Sequence, residues 1–385
     1  MKKIKFLFFI TPLFLVACIR PPVPDVEQAI QNADPNTIIR LSNEATDGHF
    51  KTALPLAPSP TRGLVQSIPH ITRNRIDIEQ AESSMVRIAA DFFDPDHYVF
   101  REGQHLSRGF VISILALNDP EDEDNIGLNP PLESLHTFDG TEIESVETNP
   151  VRPLIYILEQ NFGIMSENEF QLEGAAIAIA LNPYHWVRDP DIAFEHEYRL
   201  SDGEIIAIGQ EIAEDLLPLI RDQEGLEDVP IILALFILQS YREVLPGGFA
   251  SIAYIEEGRS SINSWDTVHE RHFRLPDLAI NVYDVNINEE FNAFSDTINN
   301  YFPHRYGLTA RAHVLDEHVY RISIDFNMSF LGLSEKISFH QLLQQEVMNF
   351  SPAYDIHIII RSPGTIHGSV TRPPNGEAFI HRVGW

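Results

Sequence analysis

The chain passes twice through the same order of apolar patterns, and this weak repeat limits the fold more than any other feature. In the first pass Phe170–Asn182 reads as a strand. A helix follows, with Ile205, Ile208, Ile212, Leu216 and Leu219 at helical spacing on one face. Val229–Leu238 is an apolar run of strand length, and Pro246–Ala253 reads as a turn and a strand. In the second pass His318–Asn327 alternates apolar and polar residues, as a half-buried strand does. Phe339, Leu342, Leu343, Val347 and Phe350 mark a helix face, Tyr354–Ile360 a strand, and Pro374–His381 a turn and a strand. Upstream, Ile155–Phe162 and Phe291–Phe302 are predicted as matching helices, with Phe162-Gly163 and Tyr306-Gly307 just before the first strands. The expected fold class is α+β: two tandem related α-β-β-α-β-β units, mainly antiparallel sheet with helices packed on one face.

The N-terminus is of a different kind. A basic head, Met1–Lys5, precedes the apolar run Phe6–Val16. That is the pattern of a signal peptide, and the run is shorter than the ~20 residues a membrane span needs. It ends in Leu15, Val16, Ala17 and Cys18, which resembles the lipobox of bacterial lipoproteins. The resemblance implies cleavage between Ala17 and Cys18 and a covalent diacylglycerol on Cys18, the sole cysteine. Two acyl chains anchor stably where one binds marginally. The expected location is therefore the extracytoplasmic face of the cell membrane, lipid-anchored. The lipid bilayer and the lipoprotein-processing proteases are the expected partners. One thiol also excludes an intramolecular disulfide.

The expected organisation is a leader over 1–17, a lipidated cysteine and Pro-rich tether over 18–60, a first repeat domain over 61–258 and a second over 259–385. Pro21, Pro22, Pro24, Pro35, Pro55, Pro58 and Pro60 favour an extended tether, with short helical turns within Asp25–Arg40. Asn118–Asn129, centred on the acidic run Asp119–Asp124, reads as a solvated loop. Apolar residues are 44% of the chain, enough for a packed core. The formal charge is −29, and loss of Lys2, Lys3 and Lys5 with the leader makes it more negative. So acidic a body repels nucleic acid, which is not an expected partner. Lys51 and Lys336 are the only lysines beyond the leader, so arginine carries the remaining positive charge.

Motifs of catalysis are weak. His269-Glu-Arg-His272 is one residue short of the His-Glu-x-x-His pattern that puts two imidazoles on one helix face. On a helix it reads as a surface pair. Glu195-His196-Glu197 lies in an alternating, strand-like stretch that points His196 away from both glutamates. The chain has no Gly-x-Ser-x-Gly elbow and no Gly-Lys-Ser/Thr phosphate loop. The expectation is a non-enzyme with no catalytic residue, no metal and no cofactor beyond the lipid on Cys18. Sixteen histidines leave room for a cluster made by folding, although most such residues are surface or hydrogen-bonded core groups. Tyr184 and Trp186, in Asn182–Trp186, and Trp265, beside Ser264, suit a groove between the repeats for an unknown envelope ligand, a glycan or a peptide. The same aromatics more often serve in packing. The loops Arg62-Gly63 and Gly127–Leu132 are further candidates.

An ordered series of strings carries a family resemblance: Leu54–Leu64, Gly127–Leu132, Ile157-Leu-Glu-Gln160, Ala180-Leu-Asn182, Val229–Phe236 and Tyr301-Phe-Pro303. Together with the lipobox, the series resembles the CamS family, the sex-pheromone precursor lipoproteins of Gram-positive bacteria. The resemblance implies a repeated domain. It also implies that the end of the signal peptide is trimmed by intramembrane proteolysis and secreted as a short apolar peptide that induces plasmid conjugation. The corresponding residues here are Phe8, Phe9, Ile10, Thr11, Pro12, Leu13, Phe14, Leu15, Val16 and Ala17.

Overall fold

The structure is a computed structural model that describes residues 50–64, 75–130, 152–166, 169–189, 194–240, 242–303, 306–330 and 332–384. The leader, the lipobox with Cys18 and the peptide segment Phe8–Ala17 lie outside the described residues, as does the tether up to residue 49. In chain order the first unit holds β1 (Lys51–Thr52), α1 (Arg75–Ala89), β2 (Val99–Glu102), α2 (Arg108–Ile114), β3 (Leu154–Ser166) and β4 (Glu169–Leu181). It continues with β5 (Tyr184–Asp189), β6 (Phe194–Arg199), α3 (Asp202–Arg221), β7 (Ile231–Ile237), β8 (Gly248–Ile255) and β9 (Asp266–Thr267). The second unit holds β10 (Glu270–Leu275), α4 (Ile287–Tyr301), β11 (Tyr306–Leu315), β12 (His318–Met328), α5 (Leu333–Glu346), β13 (Asp355–Ser362), β14 (Thr365–Arg372) and β15 (Phe379–Arg382).

These elements form a mixed α+β fold with two large sheets of mostly antiparallel strands. The first sheet runs β1-β2-β3-β4-β7-β8-β9 and the second β10-β11-β12-β13-β14-β15, while β5 and β6 pair as a separate hairpin. At the centre of each sheet one pair is parallel: β4 with β7 across α3, and β12 with β13 across α5. A parallel pair needs a crossover, and the amphipathic helices predicted from spacing supply it. Helix α3 starts with a capping box, in which Ser201 Oγ accepts from the Glu204 N–H and the Glu204 carboxylate accepts from the Ser201 N–H. Its apolar face covers Ala175, Ile177, Ile179 and Leu181 of β4, with Ile231, Leu233 and Leu235 of β7.

The structure corrects the sequence reading in five places. Ile155–Phe162 is not a helix but the middle of β3, paired with β4 from Leu154 to Ser166. Its side chains are buried on both faces, so the period-two signal vanishes and the apolar run is indistinguishable from a buried helix by pattern. Helices do not keep to one face in the first unit. Helix α1 covers the side opposite α3, packing Ala81, Met85 and Ile88 over Ala176, Ala178, Ala234 and Phe236. The small alanines let the helix approach, and a strand covered twice reads as continuously apolar. In the second unit, by contrast, the core lies on one side of the sheet. The turn at Pro374 does not match that at Pro246, because β8 is matched in the topology by β14, and Pro374 leads into β15, which matches β9. Residues 50–60 are not tether: β1 pairs with β2, and Phe50 packs on Phe162 at 4.8 Å between ring centroids. Finally, His269–His272 is not a helical surface pair. Three of its residues open β10, where Phe273 and Leu275 face the core and Glu270 is buried.

Each unit is also closed by a buried arginine. Arg221, at the end of α3, donates Nη1 to the carbonyls of Leu226 (2.7 Å) and Val229 (2.6 Å), Nε to Arg259 (2.8 Å) and Nη2 to Glu256 (3.1 Å). Arg372 of β14 donates Nη1 to Val347 (3.0 Å) and Phe350 (2.9 Å), and Nη2 to Ser351 (2.5 Å) and Tyr354 (3.1 Å). Both fasten the irregular link between the crossover helix and the returning parallel strand. Those carbonyls have no ladder partner, and a guanidinium supplies several donors from one point.

Candidate ligand cavity and the junction of the units

A cavity of about 530 Å³ lies between α1, the β2–β3 edge and the loop Ser59–Gly63. Its apolar wall includes Ile78, Val86, Phe100 and Leu158, and its polar wall Glu79, Glu82, Ser83, Glu102 and Gln160. The volume is that of a small-molecule site. One buried carboxylate organises the floor. Glu159 accepts from the backbone N–H groups of Gln104 (3.2 Å), His105 (3.1 Å) and Leu106 (2.9 Å) and from Asn161 Nδ2 (2.8 Å). Gly103 sits so close that a Cβ there would meet Glu159 Cβ at 2.4 Å. At the rim Glu102 accepts from the Ser59 N–H (2.9 Å) and pairs with Arg62. This holds the Arg62-Gly63 loop, which the sequence singled out, at the mouth.

Two polar groups of the wall are left over. Gln160 donates Nε2 to the Glu82 carbonyl at 2.8 Å, and its Oε1 has no partner. The Tyr156 hydroxyl is buried without a partner as well. Burial, with Asp77 and Glu82 nearby, pushes the Tyr156 phenol well above its ordinary range, so it stays protonated. Gln160 Oε1, an acceptor of the wall without a partner, favours a ligand that brings donors. Among the described residues no group of three His, Cys, Asp or Glu is arranged to hold a metal, and no helix is long and apolar enough to cross a membrane.

The second feature is the junction between the units, where Glu270 of β10 is shared. Its Oε1 accepts from Ser84 Oγ (2.5 Å) and Gln80 Nε2 (3.1 Å) of α1 and from His313 Nε2 (2.8 Å) of β11, with Arg87 at 3.6 Å. Its Oε2 accepts from the Phe249 N–H of β8 at 2.9 Å. Burial opposes ionisation, but His313, Phe249 and Ser84 outweigh it and bring the carboxyl down to about 2. His272 stacks on His313 at 4.3 Å, and burial lowers its pKa to about 3. A depression of about 140 Å³ beside this hub is lined by Arg199, Asp202, Gly247, Phe249 and Arg271. It is below the usual size of a ligand site.

The aromatics chosen from sequence have separate surroundings. Tyr184 opens the β5–β6 hairpin, donates to Gln239 Oε1 at 3.0 Å and lies under Arg199 at 5.7 Å. Trp265 packs, partly buried, against the first unit's core. The side chain of Trp186 is outside the described residues, as is that of His196, although its strand β6 is as expected. In the Gly127–Leu132 loop, Asn129 is a buried clamp, donating to the Leu115 and Leu154 carbonyls at 3.0 and 2.9 Å. Sequence reading missed Tyr156, Glu159 and Gln160 because all three lie in the strand taken for a helix.

This fold matches those of solved sex pheromone precursors. One from Lactobacillus salivarius subsp. salivarius matches with a TM-score of 0.73 at 22% identity, over 88% of this chain and 95% of that one. The C-terminal domain of the sex pheromone staph-cAM373 precursor from Staphylococcus aureus matches with a TM-score of 0.67 at 20% identity, over 81% of this chain and 98% of that one. No curated relative matches the chain. The family model for the CamS sex pheromone cAM373 precursor matches residues 56–378, and the chain belongs to that family.

Proposed function

We propose that the chain is a lipid-anchored precursor. Its leader is cleaved before Cys18, Cys18 carries diacylglycerol, and the body stands on the extracytoplasmic face without catalytic activity. Part of Phe8–Ala17 is released as a short apolar conjugation-inducing peptide. The observation that carries this reading is Leu15-Val16-Ala17-Cys18, the sole thiol of the chain at the end of a short basic-apolar leader. The test is mass spectrometry of culture supernatant for peptides from residues 6–17, with Phe8–Ala17 recoded to an equally apolar sequence as the control. A discrete native peptide, lost on recoding and able to induce conjugation in a responder, is the expected result. Its absence while the body accumulates refutes the release step. Replacing Cys18 with alanine is expected to move the protein out of a Triton X-114 detergent phase, and a variant that stays there refutes the anchor.

A second reading is favoured by the cavity of about 530 Å³: an envelope lipoprotein whose body binds a small donor-bearing ligand, with the leader peptide a by-product. Loss of ligand on substituting Gln160 by leucine, with peptide release intact, separates the two readings.

A further inference from the structure

The second sheet has a core on one side only, and its other face carries a row of residues in direct cross-strand register. Arg274 of β10 stands opposite Arg311 of β11, Arg311 opposite Ser323 of β12, Ser323 beside His357 of β13, and His357 opposite Thr371 of β14. The flanking positions Ala310, Ala312, Ile322, Ile324, Ile356 and Ile358 point into the core, which sets the row on the opposite face, beyond the end that α1 covers at Glu270 and His313.

Two arginines facing each other across adjacent strands destabilise a sheet, because like charges directly opposite repel at Cβ separations of about 5 Å. Other arginines on this face are neutralised. Arg321 pairs with Asp355 at 2.7 Å, and Arg361 pairs with Asp325. Among the described residues neither Arg274 nor Arg311 has an ion-pair partner. Arg274 is exposed and Arg311 half-buried. Uncompensated, adjacent guanidinium groups are costly to keep in a chain with 56 acidic residues to choose from and only 27 basic ones.

We propose that this row is a docking site for a linear, phosphate-bearing polyanion, whose phosphate groups bridge Arg274 and Arg311 and continue over Ser323. The planar fork of arginine matches phosphate oxygens in a bidentate manner, and the Ser323 hydroxyl extends the donor row as far as His357, whose Nε2 is bonded to Asp355 at 3.0 Å. Adjacent strands lie about 4.8 Å apart, so the row from Arg274 to Thr371 spans about 19 Å across the strands. The whole chain carries a formal charge of −29, so the surface away from these arginines repels such a polyanion, which confines docking to this face.

The test is calorimetric titration of the full chain with short linear polyphosphate at two salt concentrations. The wild type is expected to bind, more weakly at the higher salt. The Arg274→Gln/Arg311→Gln double variant is expected to bind at least ~10-fold more weakly, with a salt slope smaller by about 1.5. Arg108→Gln, an exposed arginine on α2, is the control and is expected to change binding less than ~2-fold. Arg311→Glu guards against simple misfolding: it makes an opposite-charge pair with Arg274, so the melting temperature is expected to hold or rise while binding is lost. The proposal is overturned by a wild type that does not bind at low salt. It is equally overturned by unchanged binding in the double variant or by an equal loss in Arg108→Gln. Self-association that depends on Arg274 and Arg311, with no polyphosphate binding, also overturns it and assigns the face to the acidic loop Asp119–Asp124 of a second copy.

Discussion

Replacing Glu270 with glutamine tests how strongly one carboxylate joins the two units. The wild-type side chain is fully buried, with 0% exposure, and accepts from α1, β8 and β11 together. Its pKa falls from 4.5 to about 2 on folding, which corresponds to about 3 kcal/mol of stability at neutral pH. Because the folded pKa is the lower one, the contribution is complete above pH 4.5 and is lost as the pH falls toward 2. Roughly half of it remains at pH 3. Glutamine keeps the shape, removes the charge and turns a donor toward donors. In urea unfolding followed by circular dichroism, Glu270→Gln is expected to be about 3 kcal/mol less stable than wild type at pH 7. The gap is expected to narrow to roughly half of that at pH 3. A gap that stays constant from pH 7 to pH 3, or one below ~1 kcal/mol at pH 7, refutes the assignment of an ionised, shared Glu270.

Three further substitutions have defined outcomes. Arg372→Met removes the guanidinium that donates to the carbonyls of Val347, Phe350, Ser351 and Tyr354 and is expected to cost about 4 kcal/mol in chemical denaturation. Tyr156→Phe removes a buried hydroxyl that has no partner and is expected to raise stability by about 1 kcal/mol, so a loss of that size in the same assay shows that the hydroxyl is in use. Gly163→Ala places a Cβ 1.9 Å from the Gln171 carbonyl oxygen, at the register shift between Phe162 and Gly163, and is expected to lower stability by about 3 kcal/mol, measured by thermal melting.

Elements with one wet side were readable from sequence. Helix α3 announces itself through the spacing of Ile205, Ile212 and Leu216 and the Ser201–Glu204 cap, and β12 through the alternation from His318 to Asn327. Strand β3 was not readable, because burial on both faces erases the period, and its loss hid the floor of the cavity with it. Glu270 shows a different limit. Glu270, His272 and Arg274 alternate with Arg271, Phe273 and Leu275, which is a strand signal, but the near-match to a metal-binding helix motif competed with it. The Arg274–Arg311 pairing is a matter of register between strands far apart in sequence, and no local pattern encodes it. Of the cavity, the Arg62-Gly63 loop stands out in the sequence as a candidate site, while Ile157–Gln160 enters only as part of the family resemblance.

The two sheets end differently at their margins. The first is finished by β1 on one side and β9 on the other, each only two residues long. So short a strand offers too few free N–H and C=O groups to recruit another chain, and blunting an edge in this way is a recognised defence against polymerisation. The second sheet abuts the first unit through β10 and ends in the open at β15, whose Phe379, His381 and Arg382 are exposed. Among the described strands of the two large sheets, the inviting border for strand exchange between copies is therefore the C-terminal margin, guarded by one arginine and one histidine. A tag fused after Trp385 follows that border by three residues. Its composition decides whether the margin is shielded or lengthened, so a charged, Pro-containing extension preserves a monodisperse protein where a β-prone one seeds aggregation.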